Sequence, residues 1–283
     1  MIITVASGKG GTGKTTIAVN LALALKDCQL IDCDVEEPNA HIFLKPKIDK
    51  IEEVSVFNPQ INEEKCTKCG ICVKSCEFNA LAQISDNILF FPELCLSCEA
   101  CMELCPEEAI SNNEKNIGEI KVGKTEFGIE FANGLLDIGI PRGIPIIQSL
   151  KKKVNVDKVA ILDAPPGNSC PVIETIEDSD FCILVTEPTP FGLWDVKIAV
   201  EVVRKLGIPF GIILNRAGIG GKNTIIQDYC DKENIQILLE IPFDRKIAEA
   251  YSKGINLVDF DSNWSDKFLL MFRNIQESVI KNG

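Results

Sequence analysis

Cysteine is the residue type whose number and spacing point most directly to chemistry in this chain of 283 residues. Eight of its 13 cysteines lie between residues 66 and 105, in two runs of four. Closely spaced thiolates of this kind are ligands for metal ions and for iron–sulfur clusters. The first run is Cys66, Cys69, Cys72 and Cys76, and the second is Cys95, Cys98, Cys101 and Cys105.

Each run reads C-x2-C-x2-C-x3-C, which is the spacing of bacterial ferredoxins that hold two [4Fe–4S] clusters. In such proteins the first three cysteines of a run bind one cluster and the fourth binds the other. The alternative is a pair of four-cysteine zinc sites, but zinc ribbons usually show paired rather than triple cysteines. We predict one cluster on Cys66, Cys69, Cys72 and Cys105, and a second on Cys95, Cys98, Cys101 and Cys76.

The cysteine runs predict an inserted ferredoxin domain over residues 60–112. Between Ile61 and Asn112 there are nine acidic residues and three lysines, so this segment carries half of the net charge of −12. A domain this small has little hydrophobic core, and we expect the clusters to hold it folded. Its acidity suits docking to a basic patch on a redox partner.

A second pattern lies at the N-terminus, where an apolar strand pattern over residues 2–6 precedes a glycine-rich loop. The loop satisfies G-x-x-x-x-G-K-[ST], and Thr16 to Lys26 continues as a predicted helix. Backbone N–H groups of such a loop bind phosphates, Lys14 reaches the β- and γ-phosphates, and Thr15 ligates Mg²⁺. The predicted phosphate cradle is Gly8, Lys9, Gly10, Gly11, Thr12, Gly13, Lys14, Thr15 and Thr16.

The second lysine of the loop, Lys9, makes the chain resemble the deviant Walker A ATPases. This family includes MinD, ParA, the nitrogenase iron protein and Mrp-type carriers. The resemblance covers residues 1–59 and 113–283, and it is nearest to MinD-like ATPases with an inserted ferredoxin domain. It implies that Lys9 reaches the nucleotide of a partner subunit. Two copies, or one copy and a close relative, would then enclose two ATP molecules.

Aspartates follow two further apolar runs: Asp32 and Asp34 end one, and Asp163 ends the other. Carboxylates at strand ends beside a phosphate-binding loop suit the positioning of a metal ion and of water. The family resemblance implies that Asp34 orients the attacking water and that Asp32 and Asp163 belong to the Mg²⁺ shell. It also makes the Gly167 amide a sensor of the γ-phosphate.

The remaining segments alternate between strand and helix patterns, which predicts a parallel sheet covered by helices on both faces. The fold class is therefore α/β, a P-loop NTPase with an inserted α+β ferredoxin domain. By resemblance, Asn215 and Arg216 bind adenine and the loop around Pro242 closes over the base. The glycine-spaced segment up to Arg142 predicts a β-hairpin. Strands are predicted at 181–186, 210–214 and 235–240, and helices near 193–206, 222–232 and 244–252.

The other cysteines and the single histidine carry weaker signals. Cys170 follows the Asp163 segment, at a spacing where the nitrogenase iron protein has a cluster ligand. It is either a functional thiol or metal ligand, or the first residue of a buried helix. His41 is expected to be structural rather than a ligand. Four cysteines in apolar segments are expected in the core: Cys28, Cys33, Cys182 and Cys230.

Composition excludes several partner classes. A net charge of −12 argues against binding to nucleic acid, which needs a basic face. The longest apolar run is far too short to span a bilayer, and no secretory signal is evident, so a cytoplasmic location is expected. The stretch from Trp264 to Ile280 is apolar at helical spacing but weakly basic, which favours docking on the core over membrane binding.

Three functions fit these patterns. The first is an ATP-gated dimer coupled to electron transfer through two clusters, with a separate redox partner. The second is an ATPase that assembles iron–sulfur clusters or metal cofactors and delivers them to an apo-acceptor, and Cys170 is then the most plausible extra ligand. The third is a MinD-like positioning ATPase, which the acidic charge disfavours.

Overall fold

A nine-stranded sheet forms the centre of the computed structural model, which describes residues 1–219 and 224–282. The strands of the described chain are β1 (Ile2–Ala6), β2 (Cys28–Asp32), β3 (Lys47–Val56), β4 (Pro59–Ile61), β5 (Leu81–Ile84), β6 (Asn87–Phe90), β7 (Ile110–Asn112), β8 (Lys115–Lys124), β9 (Glu130–Leu136), β10 (Val159–Asp163), β11 (Phe181–Thr186), β12 (Phe210–Ala217) and β13 (Ile237–Pro242). The helices are α1 (Lys14–Leu25), α2 (Ala40–Leu44), α3 (Ile71–Lys74), α4 (Ala100–Glu103), α5 (Ile144–Lys151), α6 (Cys170–Ile176), α7 (Pro190–Leu206), α8 (Thr224–Glu233), α9 (Arg245–Ser252), α10 (Leu257–Phe260) and α11 (Asn263–Asn282).

The strand order is β13-β12-β11-β1-β10-β2-β9-β8-β3. Seven strands from β13 to β9 run parallel, whereas β8 pairs antiparallel with both β9 and β3. The predicted mainly parallel sheet is thus confirmed, and so is the hairpin before Arg142, which is formed by β8 and β9.

Both faces of the sheet are buried, as a parallel sheet requires. Along β11, Phe181, Ile183 and Val185 point into a core formed with α1 and α11. Cys182 and Leu184 point to the opposite face, where they pack with α6, α7 and α8. Side chains therefore alternate between two hydrophobic layers, each covered by helices.

Several predicted boundaries differ from the structure by one to three residues; strand β12, for example, continues to Ala217 rather than 214. Two of these differences have a clear local cause. Helix α7 begins at Pro190 rather than near 193, because the Thr189 hydroxyl accepts the Gly192 N–H and proline is favourable in a first turn. Strand β13 begins at Ile237 rather than 235, because Asn234 adopts a left-handed conformation and the Ile235 N–H bonds the Cys230 carbonyl. Residues 222 and 223 of the predicted helix 222–232 lie outside the described residues.

Of the five cysteines outside the two runs, the four that were expected in the core are buried, whereas Cys170 is exposed. Cys28, Cys33, Cys182 and Cys230 are buried in the hydrophobic core, and burial raises the pKa of the Cys28 thiol to about 12. Cys170, by contrast, is exposed at the first residue of α6. His41 lies exposed in α2.

The segment between β3 and β8 forms two small antiparallel pairs. Strand β4 pairs with β7, so the chain enters and leaves this segment side by side. The Asn113 N–H donates to the Asn58 carbonyl oxygen at 2.8 Å, and this bond joins the two stretches of chain that connect the segment to β3 and β8. Strands β5 and β6 form the second pair, and α3 and α4 pack against each other.

Helix α11 docks on the hydrophobic core through its apolar side. Phe268 is fully buried, and Phe272 and Ile275 join it in the layer that also contains α1. Leu270 is 59% exposed on the other side of the helix. The docking expected for the C-terminal stretch is therefore found. No helix among the described residues is long and apolar enough to cross a membrane.

We expect Phe268→Ala to lower the free energy of unfolding by about 3–5 kcal/mol, because the substitution opens a cavity beneath α11. Leu270→Ala, on the exposed side of the same helix, is the matched control and is expected to change it by less than about 0.5 kcal/mol. Urea unfolding followed by circular dichroism measures both. Equal effects for the two variants would show that α11 is not docked as described.

Candidate functional sites

The glycine-rich loop connects β1 to α1 at the carboxyl edge of the sheet. Gly11 and Gly13 have φ angles of 76° and 96°, a left-handed region that favours glycine. A Cβ atom at Gly8 would collide with the backbone of Asp195 in α7, so the loop lies directly against that helix. The Asn215 side-chain amide donates to the Thr12 carbonyl oxygen at 2.7 Å and ties the loop to the end of β12.

A cavity of about 490 Å³ opens beside this loop, within the usual size range of small-molecule sites. It brings together residues from five distant segments of the chain. Its lining includes these sequence-predicted residues: Gly10, Gly11, Gly13, Lys14, Thr15, Thr16, Asp34, Asn215, Arg216 and Pro242. An apolar wall includes Phe243, from the loop predicted to close over the base, and three residues that sequence reasoning did not identify: Tyr251, Ile255 and Phe260.

Six predicted residues do not line this cavity: Gly8, Lys9, Thr12, Asp32, Asp163 and Gly167. Gly8 and Thr12 shape the loop through backbone contacts with Asp195 and Asn215. The Gly167 N–H, expected to sense a phosphate, donates to the Ser7 carbonyl oxygen at 3.2 Å in this structure.

Asp32 and Asp163 are adjacent in the β2–β10 register and are almost fully buried. The Asp32 carboxylate accepts N–H groups from Asp34 at 3.1 Å and from Asn39 and Ala40 at 2.9 Å. Both Asp163 carboxylate oxygens are buried, and neither makes a well-formed hydrogen bond with the described residues, although the Thr15 hydroxyl is close enough to lower the pKa of Asp163. Oxygen donors without such a hydrogen bond fit Mg²⁺, which binds carboxylates and hydroxyls.

Burial dominates the electrostatics of this edge. It raises the pKa of Asp32 to about 6, and it raises the pKa of Asp163 well above its ordinary value. The neighbouring charge of Asp32 adds to the rise of the Asp163 pKa, whereas Thr15 and Lys14 oppose it. Burial lowers the pKa of Lys14, although the three nearby aspartates counteract this effect. A bound divalent cation would relieve the repulsion between the carboxylates.

Lys9 points away from this cavity, toward a residue that sequence reasoning missed. Its ammonium nitrogen lies 3.8 Å from Oε1 of Glu187, and the Arg216 guanidinium lies 3.2 Å from the same oxygen. Glu187 directly follows the buried strand β11. Its position at the carboxyl end of a parallel strand was the signal that could have identified it, as it did for Asp32 and Asp163.

The eight clustered cysteines lie around two further cavities. One cavity is lined by the first three cysteines of the first run and the last of the second, and the other by the remaining four. The structure thus brings together the same two quartets that the ferredoxin spacing predicts. The quartets are Cys66, Cys69, Cys72 and Cys105, and Cys76, Cys95, Cys98 and Cys101.

The two cysteine runs have the same backbone conformation. Left-handed φ angles occur at equivalent positions of each run: Lys68 and Ser97, Gly70 and Glu99, and Asn79 and Glu108. The fourth cysteines are also equivalent, because the Ala80 and Ala109 N–H groups donate to the sulfurs of Cys76 and Cys105, each at 3.3 Å. Such N–H···S bonds stabilise a ligating thiolate and influence cluster potential.

The donor set of these cavities consists of crowded thiols. Burial, with a smaller contribution from neighbouring thiols, raises the pKa of Cys101 to about 11 and also raises that of Cys72. In the described residues, no group of three or more His, Cys, Asp or Glu side chains is arranged to hold a single metal ion. A cubane binds each cysteine through a different iron, so its four ligands surround a cavity. The quartets fit that geometry.

A protein-family model for the CobQ/CobB/MinD/ParA nucleotide binding domain matches residues 3–258. The chain belongs to this family. The matched region starts in β1 and includes the glycine-rich loop, both buried aspartates and the apolar wall of the nucleotide-sized cavity as far as Leu257. Membership confirms the predicted nucleotide-binding α/β fold.

Relatives of this MinD/ParA family member span nearly its whole length. An uncharacterized protein of Methanocaldococcus jannaschii is 34% identical over 272 residues, which cover 92% of this chain and 93% of that protein. The iron-sulfur cluster carrier protein of the same organism is 27% identical, covering 98% of this chain and 84% of that protein. The septum site-determining protein MinD of Pyrococcus horikoshii, solved with Mg-ADP, has a TM-score of 0.57 at 23% identity and covers 95% of this chain and 93% of that one. The last likeness shows a shared fold.

The buried Asp163 makes stability depend on pH. A carboxyl group whose pKa is higher in the folded than in the unfolded chain costs stability as pH rises above its unfolded value, roughly pH 4. Asparagine cannot ionise. In magnesium-free and nucleotide-free protein, we therefore expect Asp163→Asn to raise the free energy of unfolding at pH 7.

The stability gain from Asp163→Asn should shrink as the pH is lowered through about 4, because below that value the wild-type carboxyl group becomes protonated in the unfolded state as well as in the folded state. Denaturant unfolding across this pH range measures it. Asp231→Asn, at an exposed position of α8, is the control and should show little change. A gain that does not depend on pH, or a loss of stability at pH 7, would contradict this electrostatic description.

Proposed function

We propose that the protein is an ATP-hydrolysing iron–sulfur protein in which a nucleotide-gated dimer is coupled to electron transfer through two [4Fe–4S] clusters. One observation carries the proposal: a single chain contains both the nucleotide-sized cavity of a MinD/ParA family member and two cavities lined by cysteine quartets. In this proposal, residues 1–59 and 113–283 form the ATPase domain and residues 60–112 form the inserted ferredoxin domain.

The positions of residues at the carboxyl edge of the sheet support the ATPase roles that we propose. Lys14 lines the cavity at the N-terminus of α1, where its ammonium group can pair with the β- and γ-phosphates. Thr15 and Asp163 supply oxygen ligands for Mg²⁺, with Asp32 beside them. The ion would neutralise charge that develops on the phosphates. Asp34 lines the same cavity and orients the attacking water, while Asn215, Arg216 and Pro242 surround the base.

The cluster roles rest on the quartets. The thiolates hold each cluster, and the N–H donors of Ala80 and Ala109 bond the sulfurs of the crossing cysteines. Clusters of this class store and pass single electrons. Since each run supplies one cysteine to the other quartet, the clusters and the fold of the insert depend on each other.

A continuous ladder of strands connects the two functions. In register, Asp32 of β2 is paired with Asn133 of β9, and Asn133 is paired with Lys121 of β8. Lys121 is paired in turn with Ile51 of β3. Strands β3 and β8 are the ones that lead into and out of the cysteine segment. A movement of the Asp32–Asp34 loop on nucleotide binding therefore has a hydrogen-bonded route to the insert, which supports coupling.

The alternative function is an iron–sulfur cluster or metallocofactor carrier ATPase. It is favoured by relatives named iron-sulfur cluster carrier protein, at 27% identity in M. jannaschii, and by the exposure of Cys170. A carrier loses a cluster to an apo-acceptor protein, whereas an electron-transfer protein keeps its clusters and changes their oxidation state. A positioning role on membranes has less support, because the apolar side of α11 is buried.

The experiment that tests the proposal mixes dithionite-reduced protein with a one-electron acceptor dye and, separately, with an apo-ferredoxin. Electron transfer that accelerates with Mg-ATP while the iron content stays constant supports the proposal. Loss of iron to the apo-ferredoxin with Mg-ATP, without a change in electron-transfer rate, supports the carrier instead. Indifference of both rates to nucleotide would exclude coupling in either form.

Lys14→Ala and Asp34→Ala should each lower the rate of ATP hydrolysis by about 10²-fold or more, because each removes a group that acts on the transferred phosphate or its attacking water. Lys14→Ala should also weaken ATP binding, whereas Asp34→Ala should retain it. Phosphate release and calorimetric binding measure the two effects. Asp49→Ala, at an exposed position of β3, is the control. Full activity in Asp34→Ala would remove its assigned role.

Iron content separates the two quartets from the other cysteines. Anaerobically purified protein is expected to contain about eight irons per chain, and Cys72→Ser or Cys101→Ser should lower this to about four or fewer. Cys170→Ser is the exposed control and should retain the full content. Two zinc ions per chain in place of iron would contradict the cluster assignment. Loss of iron in Cys170→Ser would instead give that residue a ligand role.

A further inference from the structure

Glu187 holds two basic side chains at once. Its carboxylate oxygen Oε1 is 3.8 Å from the Lys9 ammonium and 3.2 Å from the Arg216 guanidinium, and its side chain is only 10% exposed. A nearly buried carboxylate needs at least one such partner, because an unpaired buried charge is costly. Here it has two.

The backbone fixes the position of Glu187. Its carbonyl oxygen accepts the Thr189 N–H at 2.8 Å, in the tight turn between β11 and α7. A Cβ atom at Gly192 would collide with that same carbonyl oxygen, so α7 begins directly against Glu187. The Thr186 hydroxyl donates to the Gly192 carbonyl oxygen at 2.9 Å and closes the turn. These contacts hold the backbone of Glu187 in place, so the position of its carboxylate at the edge of the sheet is well defined.

Lys9 reaches Glu187 from an equally constrained loop. Gly8 lies against the backbone of Asp195, and the Ser7 hydroxyl donates to the Lys9 carbonyl oxygen at 2.6 Å. Unlike Lys14, Lys9 does not line the cavity of its own chain. In the isolated chain, Lys9 therefore pairs with the Glu187 carboxylate and does not face the cavity where the phosphates of a nucleotide would bind.

We propose that Glu187 is a positioning residue that retains Lys9 within its own protomer and releases it when a second nucleotide-loaded copy docks. Arg216 makes the release possible, because it remains on the same carboxylate oxygen and keeps Glu187 paired after Lys9 leaves. The inference rests on the proposed function, in which Lys9 crosses to the nucleotide of the partner subunit.

The contact between Glu187 and Lys9 makes dimer formation depend on which nucleotide is bound. The partner's nucleotide must compete with Glu187 for the Lys9 ammonium, and a triphosphate offers more negative charge than a single carboxylate or a diphosphate. Glu187 therefore opposes pairing of copies that lack ATP. Removing its charge should favour the dimer rather than weaken it, which is the opposite of what a purely structural residue would do.

The first experiment measures Lys9 directly in the nucleotide-free full chain. Acetylation by an N-hydroxysuccinimide ester is followed by mass spectrometry and normalised to the exposed Lys205 of α7. Glu187→Gln is expected to accelerate Lys9 acetylation by roughly twofold to fivefold, in line with a partly exposed ion pair. Glu201→Gln, which removes an exposed carboxylate farther along α7, should leave it unchanged. An unchanged Lys9 rate in Glu187→Gln would overturn the inference.

The second experiment measures dimerisation by sedimentation velocity with a non-hydrolysable ATP analogue. Glu187→Gln should form the dimer at roughly threefold to fivefold lower protein concentration than wild type, and Lys9→Ala should weaken the dimer. If Glu187→Gln does not fold, Glu187→Asp serves in both experiments. It keeps the charge near Arg216 but shortens the side chain, so the same direction of change is expected.

The two failures are distinguishable. A wild-type protein that stays monomeric with the ATP analogue would remove the dimer switch of the proposed function, whatever the Lys9 labelling shows. A wild-type dimer that requires Lys9 but is unaffected by Glu187→Gln would leave the proposed function intact and overturn the role of Glu187.

Discussion

Parallel pairing of the central strands brings polar residues from distant parts of the chain to one edge of the sheet. Because β1, β10, β2, β11 and β12 run in the same direction, their carboxyl ends meet there. The glycine-rich loop leaves β1, Asp163 ends β10, and Asp32 ends β2. Glu187 follows β11, and Asn215 and Arg216 lie near the end of β12. The candidate site is a consequence of this shared direction.

The same constraint sets the electrostatics of the edge. Two buried aspartates, Asp32 and Asp163, lie at this edge with the buried Lys14. Burial raises the pKa of both aspartates and lowers that of the lysine, so it favours the neutral form of each side chain. Such an edge favours a divalent cation and phosphate groups, which supply the opposite charges that the protein leaves unpaired. In the cysteine segment, too, the backbone brings ionisable side chains close together. Two equivalent runs place thiols around two cavities, and burial, with a smaller contribution from neighbouring thiols, raises the pKa of cysteines whose deprotonated form is a cluster ligand.

Much of this arrangement was predictable, because the decisive residues follow local patterns. The spacing of the cysteines predicts both quartets, and the strand–loop–helix context of Lys14 predicts the phosphate site. Sequence reasoning did not identify β3, because most of its residues are exposed and charged ones interrupt the alternation of apolar positions; its pairing with β8 is a tertiary feature. It also missed Glu187, whose importance depends on Lys9 and Arg216 converging on it from other segments.

The central claim is that the nucleotide state of the ATPase domain reaches the clusters. Electron paramagnetic resonance of dithionite-reduced protein, combined with a redox titration, tests it most directly. Spectra are compared without nucleotide, with Mg-ADP and with a magnesium complex of a non-hydrolysable ATP analogue. We expect two [4Fe–4S] centres per chain whose spectrum or potential changes with the ATP analogue in wild type but not in Lys14→Ala. Identical spectra and potentials under all three conditions, in protein that demonstrably binds the analogue, would contradict it.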